Sequence, residues 1–341
     1  MKCVAIKDVK QFEVTEINEP IANGKDVIID VKKTGICGSD IHYWVGGNPK
    51  GLVMGHEFCG VVTDPGNRTD LKVGERVTAL PISPCGTCPA CLSGNPQYCV
   101  ETWNQAVGLS LTNPGGLAPK LAVRSDMVYK VPDSMTDEEG AMVEPTAVGL
   151  HAVHLADIKV GAKVLVVGGG IIGLVSAMLA KKEGASLVIV SETNSARGEK
   201  AVSLKVADEW YDAKDPEMVS KLMQKTNGGF DVVIECVGNA PAVNSSLTLV
   251  KQGGEIVLVG VSAESISMYS VMAVMKELTI KGAIGYTKEE FKSCIDLIAN
   301  KQINVMQFVD DIVSLEQVQD AYERLTSGTD SAVKILVDPN I

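Results

Sequence analysis

The segment "KVLVVGGGIIGLVSAMLAKKEGASLVIVSE", residues 163–192, constrains the fold more than any other stretch of the chain. An apolar run of strand length gives way to Gly168-x-Gly170-x-x-Gly173, then to a helical pattern, then to a second apolar run ending at Glu192. Each glycine has its own use: Gly168 permits a tight turn, Gly170 lets a pyrophosphate approach the backbone, and Gly173 lets helix and strand pack closely. The helix that opens here, with Ile172 beside Gly173 in its first turn, presents free N–H groups and a positive dipole end to phosphates. Glu192 follows Gly173 by nineteen residues, where a carboxylate accepts hydrogen bonds from the adenosine ribose hydroxyls. That favours NAD. A 2′-phosphate would be repelled there; Arg197 on the next turn would offset part of the repulsion, so NADP is the less favoured alternative.

From Lys163 onward the apolar runs "KVLVVG", "SLVIVS", "FDVVIECVG", "GEIVLVG" and "LTIKGAIG" alternate with helical stretches, the pattern of βαβ units in a doubly wound parallel sheet. Residues 1 to about 130 read differently, as short β-rich runs ("DVIIDVKKTG", "EFCGVVTDPG", "GERVTALP", "KLAVRSDMVYKVPD") punctuated by Gly, Pro and Asn. Capping boxes mark helix starts at Thr136 with Glu139, Thr287 with Glu290, and Ser314 with Gln317. A length of 341 residues suits two cores. The tail, ending in the strand "AVKILVDP", is expected to rejoin the first lobe, which makes the nucleotide domain an insertion.

Nine cysteines are present, four of them between Pro84 and Cys99. The N-terminus has no apolar signal-like core and no segment is apolar enough to span a bilayer, so the expected compartment is the cytoplasm, with no membrane partner. Thiols there stay reduced, and an odd count argues further against a disulfide framework. Cys85-x2-Cys88-x2-Cys91 resembles the start of a ferredoxin run, but Cys99 comes after seven intervening residues rather than three and is followed by Val100 rather than Pro. Four thiolates in one compact loop suit a closed structural zinc site instead. A net charge of −11 opposes any broad contact with nucleic acid.

Two further fragments carry metal-ligand chemistry: "GICGSDIH", with Cys37, Ser39, Asp40 and His42, and "MGHEFCG", with His56, Glu57 and Cys59. A converging thiolate, imidazole and carboxylate would bind zinc and leave a position for water or substrate. His151 and His154, three residues apart on a helix, read as packing or as groups behind the ligands, and Cys3, Cys59, Cys236 and Cys294 read as small buried residues.

The ordered set "GICGSDIH", "GHE", the four-cysteine lobe, "VEPTAVGLHA", "VVGGGIIG", "VIVSE" and "LVGV" resembles the zinc-dependent medium-chain dehydrogenase/reductase (alcohol dehydrogenase) family over essentially the whole chain. "VEP" is similar to the sorbitol and polyol dehydrogenase-like branch. The resemblance implies an α/β protein: a GroES-like β-rich catalytic domain over 1–156 with a structural zinc lobe, a Rossmann NAD-binding domain over 157–286, and a C-terminal segment 287–341 completing the catalytic domain. It implies two zinc ions per subunit. One is catalytic, on Cys37, His56 and Glu57, with Glu144 close to it directly or through water; the other is structural, on Cys85, Cys88, Cys91 and Cys99. It also implies a homodimer or homotetramer acting on a small alcohol or ketone, and a proton path from the substrate hydroxyl through Ser39 and the nicotinamide ribose to His42 and solvent. Asp40 is expected to orient a ligand or its loop. The expected reaction exchanges a hydride between NAD and a secondary alcohol: a polyol, sugar acid, sugar phosphate, diol or amino alcohol. The alternatives are a zinc-free quinone or enone reductase of the same family, or a non-catalytic zinc- and NAD-binding protein.

The chain departs from the family pattern in places. The run from Tyr43 to Gly55 is short, which predicts a wider substrate entrance bordered by Tyr43 and Trp44, with Lys50 as a solvated loop cation. Gly285 stands where polyol enzymes commonly have arginine, against a strictly sorbitol-type substrate, and "GGLAPKLAV" carries Pro119 and Lys120 at unusual positions.

Overall fold

The chain divides into two units, each built around its own sheet: residues 1–147, 286–327 and 334–341 form the first, and 148–285 with 328–333 the second. The computed structural model describes residues 1–262 and 264–341.

In the first unit the strands are β1 (Lys2–Asp8), β2 (Gln11–Glu16), β3 (Asp26–Gly35), β4 (Glu57–Asp64), β5 (Arg76–Ala79), β6 (Lys120–Arg124), β7 (Val128–Lys130), β14 (Val309–Val313) and β15 (Lys334–Val337). β1 and β2 form a hairpin. The others make one sheet in the order β14-β15-β3-β4-β5-β7, with β6 also paired to β3. β15 runs antiparallel to β3 with Leu336 opposite Gly35, which carries the last strand of the chain to the end of the strand that leads into Cys37. The capping boxes at Thr136, Thr287 and Ser314 all form, each with its hydroxyl and its acidic or amide partner reciprocally bonded.

Two departures from family sequence acquire physical roles here. Lys120 Nζ lies 2.6 Å from Glu19, and the Pro119 carbonyl accepts from Val31 N at 2.8 Å. The second bond fastens the start of β6 beside β3, and the first ties it to the segment that follows β2. Lys50 is paired with Asp8 at 2.9 Å on the surface.

The second unit holds β8 (Lys163–Val167), β9 (Leu187–Glu192), β10 (Glu209–Asp212), β11 (Phe230–Glu235), β12 (Val250–Leu258) and β13 (Thr279–Gly282), all parallel, in the order β10-β9-β8-β11-β12-β13. Residues Val164–Val166 and Val188–Val190 are fully buried, as the covered faces of a parallel sheet require. Leu165, Ile189, Phe230, Val233 and Ile256 join Leu222, Leu247 and Leu249 in one apolar cluster. Cys3, Cys59 and Cys294 are buried as expected; Cys236 is only half-buried, because β11 ends at Glu235 and the next residue already lies at the rim of the sheet.

Candidate active site

Cys37 caps the helix Gly38–Gly46, and His56 and Glu57 enter β4, the neighbour of β3. The pairing brings one donor atom from each of Cys37, His56 and Glu57 within 4.8 Å of the others. Asp40, in the first turn of that helix, is fully buried; its Oδ2 accepts from Cys37 N at 3.2 Å and its Oδ1 lies 3.3 Å from His56 Nδ1. One carboxylate therefore sets both the loop and the imidazole ring. Burial works against charge on His56, yet Asp40 and Cys37 outweigh it and hold its pKa well above the ordinary value. The site draws positive charge. Glu57 Oε1 is buried without a hydrogen-bond partner, as expected of an oxygen reserved for a cation. Soft sulfur, imidazole and carboxylate together fit zinc.

Two residues of this site escaped sequence reading. Lys334, fully buried on β15, donates to the Ile36 carbonyl at 2.9 Å and to Glu57 Oε2. No room remains between them: a Cβ on Gly35 would lie 2.0 Å from Glu57 Oε2. Tyr286, buried, donates to Glu144 Oε1 at 2.8 Å, and Glu144 stands outside the three-donor group. Burial, reinforced by the charge of Glu57, pushes the Glu144 carboxyl up to about 7 against the opposing pull of His56, Tyr286 and Lys334.

Ser39 Oγ donates to Cys37 Sγ at 3.3 Å, and His42, one turn further along the helix, is exposed. Tyr43 is half-buried. Trp44 is not a wall of the entrance: it is 2% exposed, stacks with Phe12 and packs at a tilt against Tyr322. Helical phase explains the correction, because Trp44 follows buried Asp40 by four residues and shares its inward face.

The sulfurs of Cys85, Cys88, Cys91 and Cys99 lie within 4.8 Å of one another, all as free thiols. Backbone N–H groups point at them: Cys88 N to Cys85 Sγ, Gly86 N to Cys91 Sγ and Cys85 N to Cys99 Sγ, each 3.3 Å. N–H donation led by Thr87 brings Cys85 down to about 6, whereas burial and neighbouring sulfurs push Cys91 up to about 11. Four thiolates this close ionise together only around a cation, which fits a closed tetrahedral metal site. A cavity of about 570 Å³ beside Cys85 is lined by side chains already paired with others, Lys120 with Glu19 and Arg124 with Asp126 among them.

In the second unit a cavity of about 380 Å³ is lined by Gly168, Gly170, Glu192, Arg197, Val237 and Ala242 among others. Gly173 must lack a side chain, since its Cβ would lie 1.9 Å from the Gly168 carbonyl oxygen. Gly170 has open space where a Cβ would be, and Ile172 stands in the first helical turn. Glu192 Oε2 accepts from Gly169 N at 2.5 Å, tying the glycine turn to the end of β9.

Comparison with known proteins decides the family. The alcohol dehydrogenase GroES-like domain matches residues 23–133 and the zinc-binding dehydrogenase domain residues 172–300. Sorbitol dehydrogenase of Bacillus subtilis is 31% identical over 351 aligned positions, covering 100% of this chain and 98% of that protein. The chain belongs to the zinc-dependent medium-chain dehydrogenase family. D-xylulose reductase A of Aspergillus niger is 33% identical to this dehydrogenase, over 95% of the chain and 91% of the relative. A zinc-binding dehydrogenase from Sinorhizobium meliloti, solved bound to NADP, superposes with a TM-score of 0.90 at 31% identity, covering 99% of both chains. The fold expected from the motifs, a GroES-like β-rich domain with a Rossmann sheet, is the one observed, and this dehydrogenase is an oxidoreductase of alcohols and ketones. Among its described residues no helix is long and apolar enough to cross a membrane.

Proposed function

We propose that this dehydrogenase interconverts a secondary alcohol of a polyol, diol or related sugar derivative with its ketone, using NAD, one catalytic zinc on Cys37, His56 and Glu57, and one structural zinc on the four-cysteine lobe. The observation that carries the reading is the three-donor group whose Glu57 Oε1 is buried and unbonded. When bound, zinc lowers the pKa of an alcohol hydroxyl toward neutrality and NAD accepts the hydride. Asp40 holds the His56 ring by Nδ1 and leaves its other nitrogen for the metal. Lys334 fixes Glu57 Oε2, so that Oε1 alone is offered. Ser39, against the Cys37 sulfur, takes the substrate proton; His42 lies three residues on, on the same helical face, exposed to pass it to solvent. Tyr286 holds Glu144 in reserve beside the three donors.

The sorbitol and xylulose relatives support a polyol, and Gly285 in place of a side chain before Tyr286 supports a broader choice than sorbitol. The test is NADH formation from NAD with a panel of sorbitol, xylitol, 2,3-butanediol, a sugar acid and a simple secondary alcohol. Turnover highest on a vicinal diol or polyol supports the reading, and no turnover on any of them overturns it.

The carboxylate of Glu192 at the cofactor end supports NAD; the NADP in the Sinorhizobium protein marks the alternative outcome. Glu192→Ala is expected to lower kcat/KM for NAD about tenfold and to narrow or reverse the preference over NADP, since charge-assisted hydrogen bonds to the ribose are lost while repulsion of a phosphate is relieved. An unchanged ratio of the two kcat/KM values would place the discrimination elsewhere. A second copy of the chain is the partner we assign to the open edge strand β13 and to the helix Ser270–Lys276 that precedes it in the chain, which exposes Val271, Val274 and Met275.

A further inference from the structure

The chain contains two Asn-Gly pairs, Asn23-Gly24 and Asn227-Gly228, and the fold treats them differently. In such a pair the glycine nitrogen, unshielded by a Cβ, can attack the side-chain amide carbon of the residue before it. All four residues are exposed, and a Cβ on Gly24 or on Gly228 would meet nothing within 4 Å. Neither water access nor crowding therefore separates the two pairs. Their hydrogen bonds do.

Asn227 ends the helix Met218–Thr226 in the left-handed conformation, with φ +55°, and the turn after it is fastened at three points. Gly228 N donates to the Met223 carbonyl at 3.1 Å, Gly229 N donates to Thr226 Oγ1 at 3.0 Å, and a Cβ on Gly229 would lie 2.7 Å from the Leu249 carbonyl oxygen. The nitrogen that would attack is already bonded into the helix end, and it cannot swing toward the side chain without breaking that bond.

Asn23 is set up in the opposite sense. Among the described residues nothing accepts from Gly24 N, so the nucleophile is free. The side chain it would attack is held at both ends. Asn23 Oδ1 accepts from Lys25 N and Asp26 N, each at 2.8 Å, and Nδ2 donates to Asp26 Oδ2 at 2.6 Å. Two N–H groups on Oδ1 draw electron density from Cγ and stabilise the negative charge that builds on this oxygen when a nucleophile adds. Asp26 holds the nitrogen that must leave.

We propose that Asn23 is a site of spontaneous deamidation and that the folded chain protects Asn227. Gly24 N gives its proton to solvent as it bonds to Asn23 Cγ; the Cγ–Nδ2 bond then breaks, and the amide nitrogen takes a proton back and leaves as ammonia. Water opens the resulting cyclic imide at either carbonyl, leaving aspartate or isoaspartate at position 23. The sum is one water consumed and one ammonia released, with no change of oxidation state. The aspartate product sets a second carboxylate against Asp26 Oδ2, so a hydrogen bond becomes a like-charge contact at the start of β3.

The test incubates the zinc-loaded full chain at mildly alkaline pH, with peptide mapping by mass spectrometry to locate and time each amide-to-acid conversion. Asn23 is expected to convert at least about tenfold faster than Asn227 in the folded protein, and the two rates should come within about threefold of each other in the urea-unfolded chain, where the bond to Gly228 N is gone. Gly24→Ala is expected to slow conversion at Asn23 by about tenfold or more, because a Cβ then shields the nitrogen and disfavours φ +69°. Equal rates at the two sites in the folded protein, faster conversion at Asn227, or a rate ratio unchanged by unfolding overturns the proposal. So does an Asn23 left intact over the time in which a short Asn-Gly peptide converts completely.

Discussion

Replacing Lys334 with Met is expected to destabilise the metal-stripped protein by about 3–5 kcal/mol, seen as a fall on the order of 10 °C in the melting midpoint of the first unit. The cause is the partner left behind. Glu57 is fully buried, its Oε2 is bonded to Lys334 and its Oε1 to nothing, so removing the ammonium leaves a buried carboxylate without its hydrogen-bonded counter-charge. Zinc would supply the missing positive charge, and added zinc should therefore raise the midpoint of Lys334→Met by more than it raises that of the parent. Lys334→Met combined with Glu57→Gln should recover most of the loss in the stripped protein, because no buried charge then remains unpaired. Differential scanning fluorimetry of the three proteins with and without zinc measures all of this. Equal midpoints for Lys334→Met and the parent in the stripped state would mean that the pair contributes nothing.

His56→Ala is expected to lower turnover by about a thousandfold or more, equivalent to about 4 kcal/mol of transition-state stabilisation, with NADH affinity kept within about twofold. The imidazole is one of three donors gathered within 4.8 Å, whereas the glycine turn and Glu192 belong to a different sheet. Metal content by atomic emission should fall toward the structural site alone. Steady-state kinetics and fluorescence titration separate the two effects, and turnover close to that of the parent would remove His56 from the metal centre.

The parts of this site that were legible in the sequence are those built from short-range spacing. Cys37, Ser39, Asp40 and His42 lie on one turn of chain, His56 and Glu57 are adjacent, the four cysteines sit in one loop, and the glycine turn follows directly from its strand. The residues that were missed depend on strand pairing across long stretches of chain. Lys334 meets Glu57 over a separation of 277 residues because β15 pairs with β3, and Tyr286 meets Glu144 over 142. No periodicity reports such a meeting; a lysine inside the apolar run "AVKILV" was the one available signal, since a buried lysine needs an anion. Trp44 was misread for a different reason. Its interval of four from Asp40 already placed the two on one helix face, and burial of the acid implied burial of the indole.

The most direct measurement of the central claim is NADH formation by the purified chain on its best polyol before metal removal, after dialysis against a chelator, and after zinc is restored. Cys37, His56 and Glu57 as a zinc site predict turnover that falls to background without metal and returns with zinc, while the melting midpoint of the second unit stays constant. Full turnover in the stripped protein, verified free of zinc, would contradict the account.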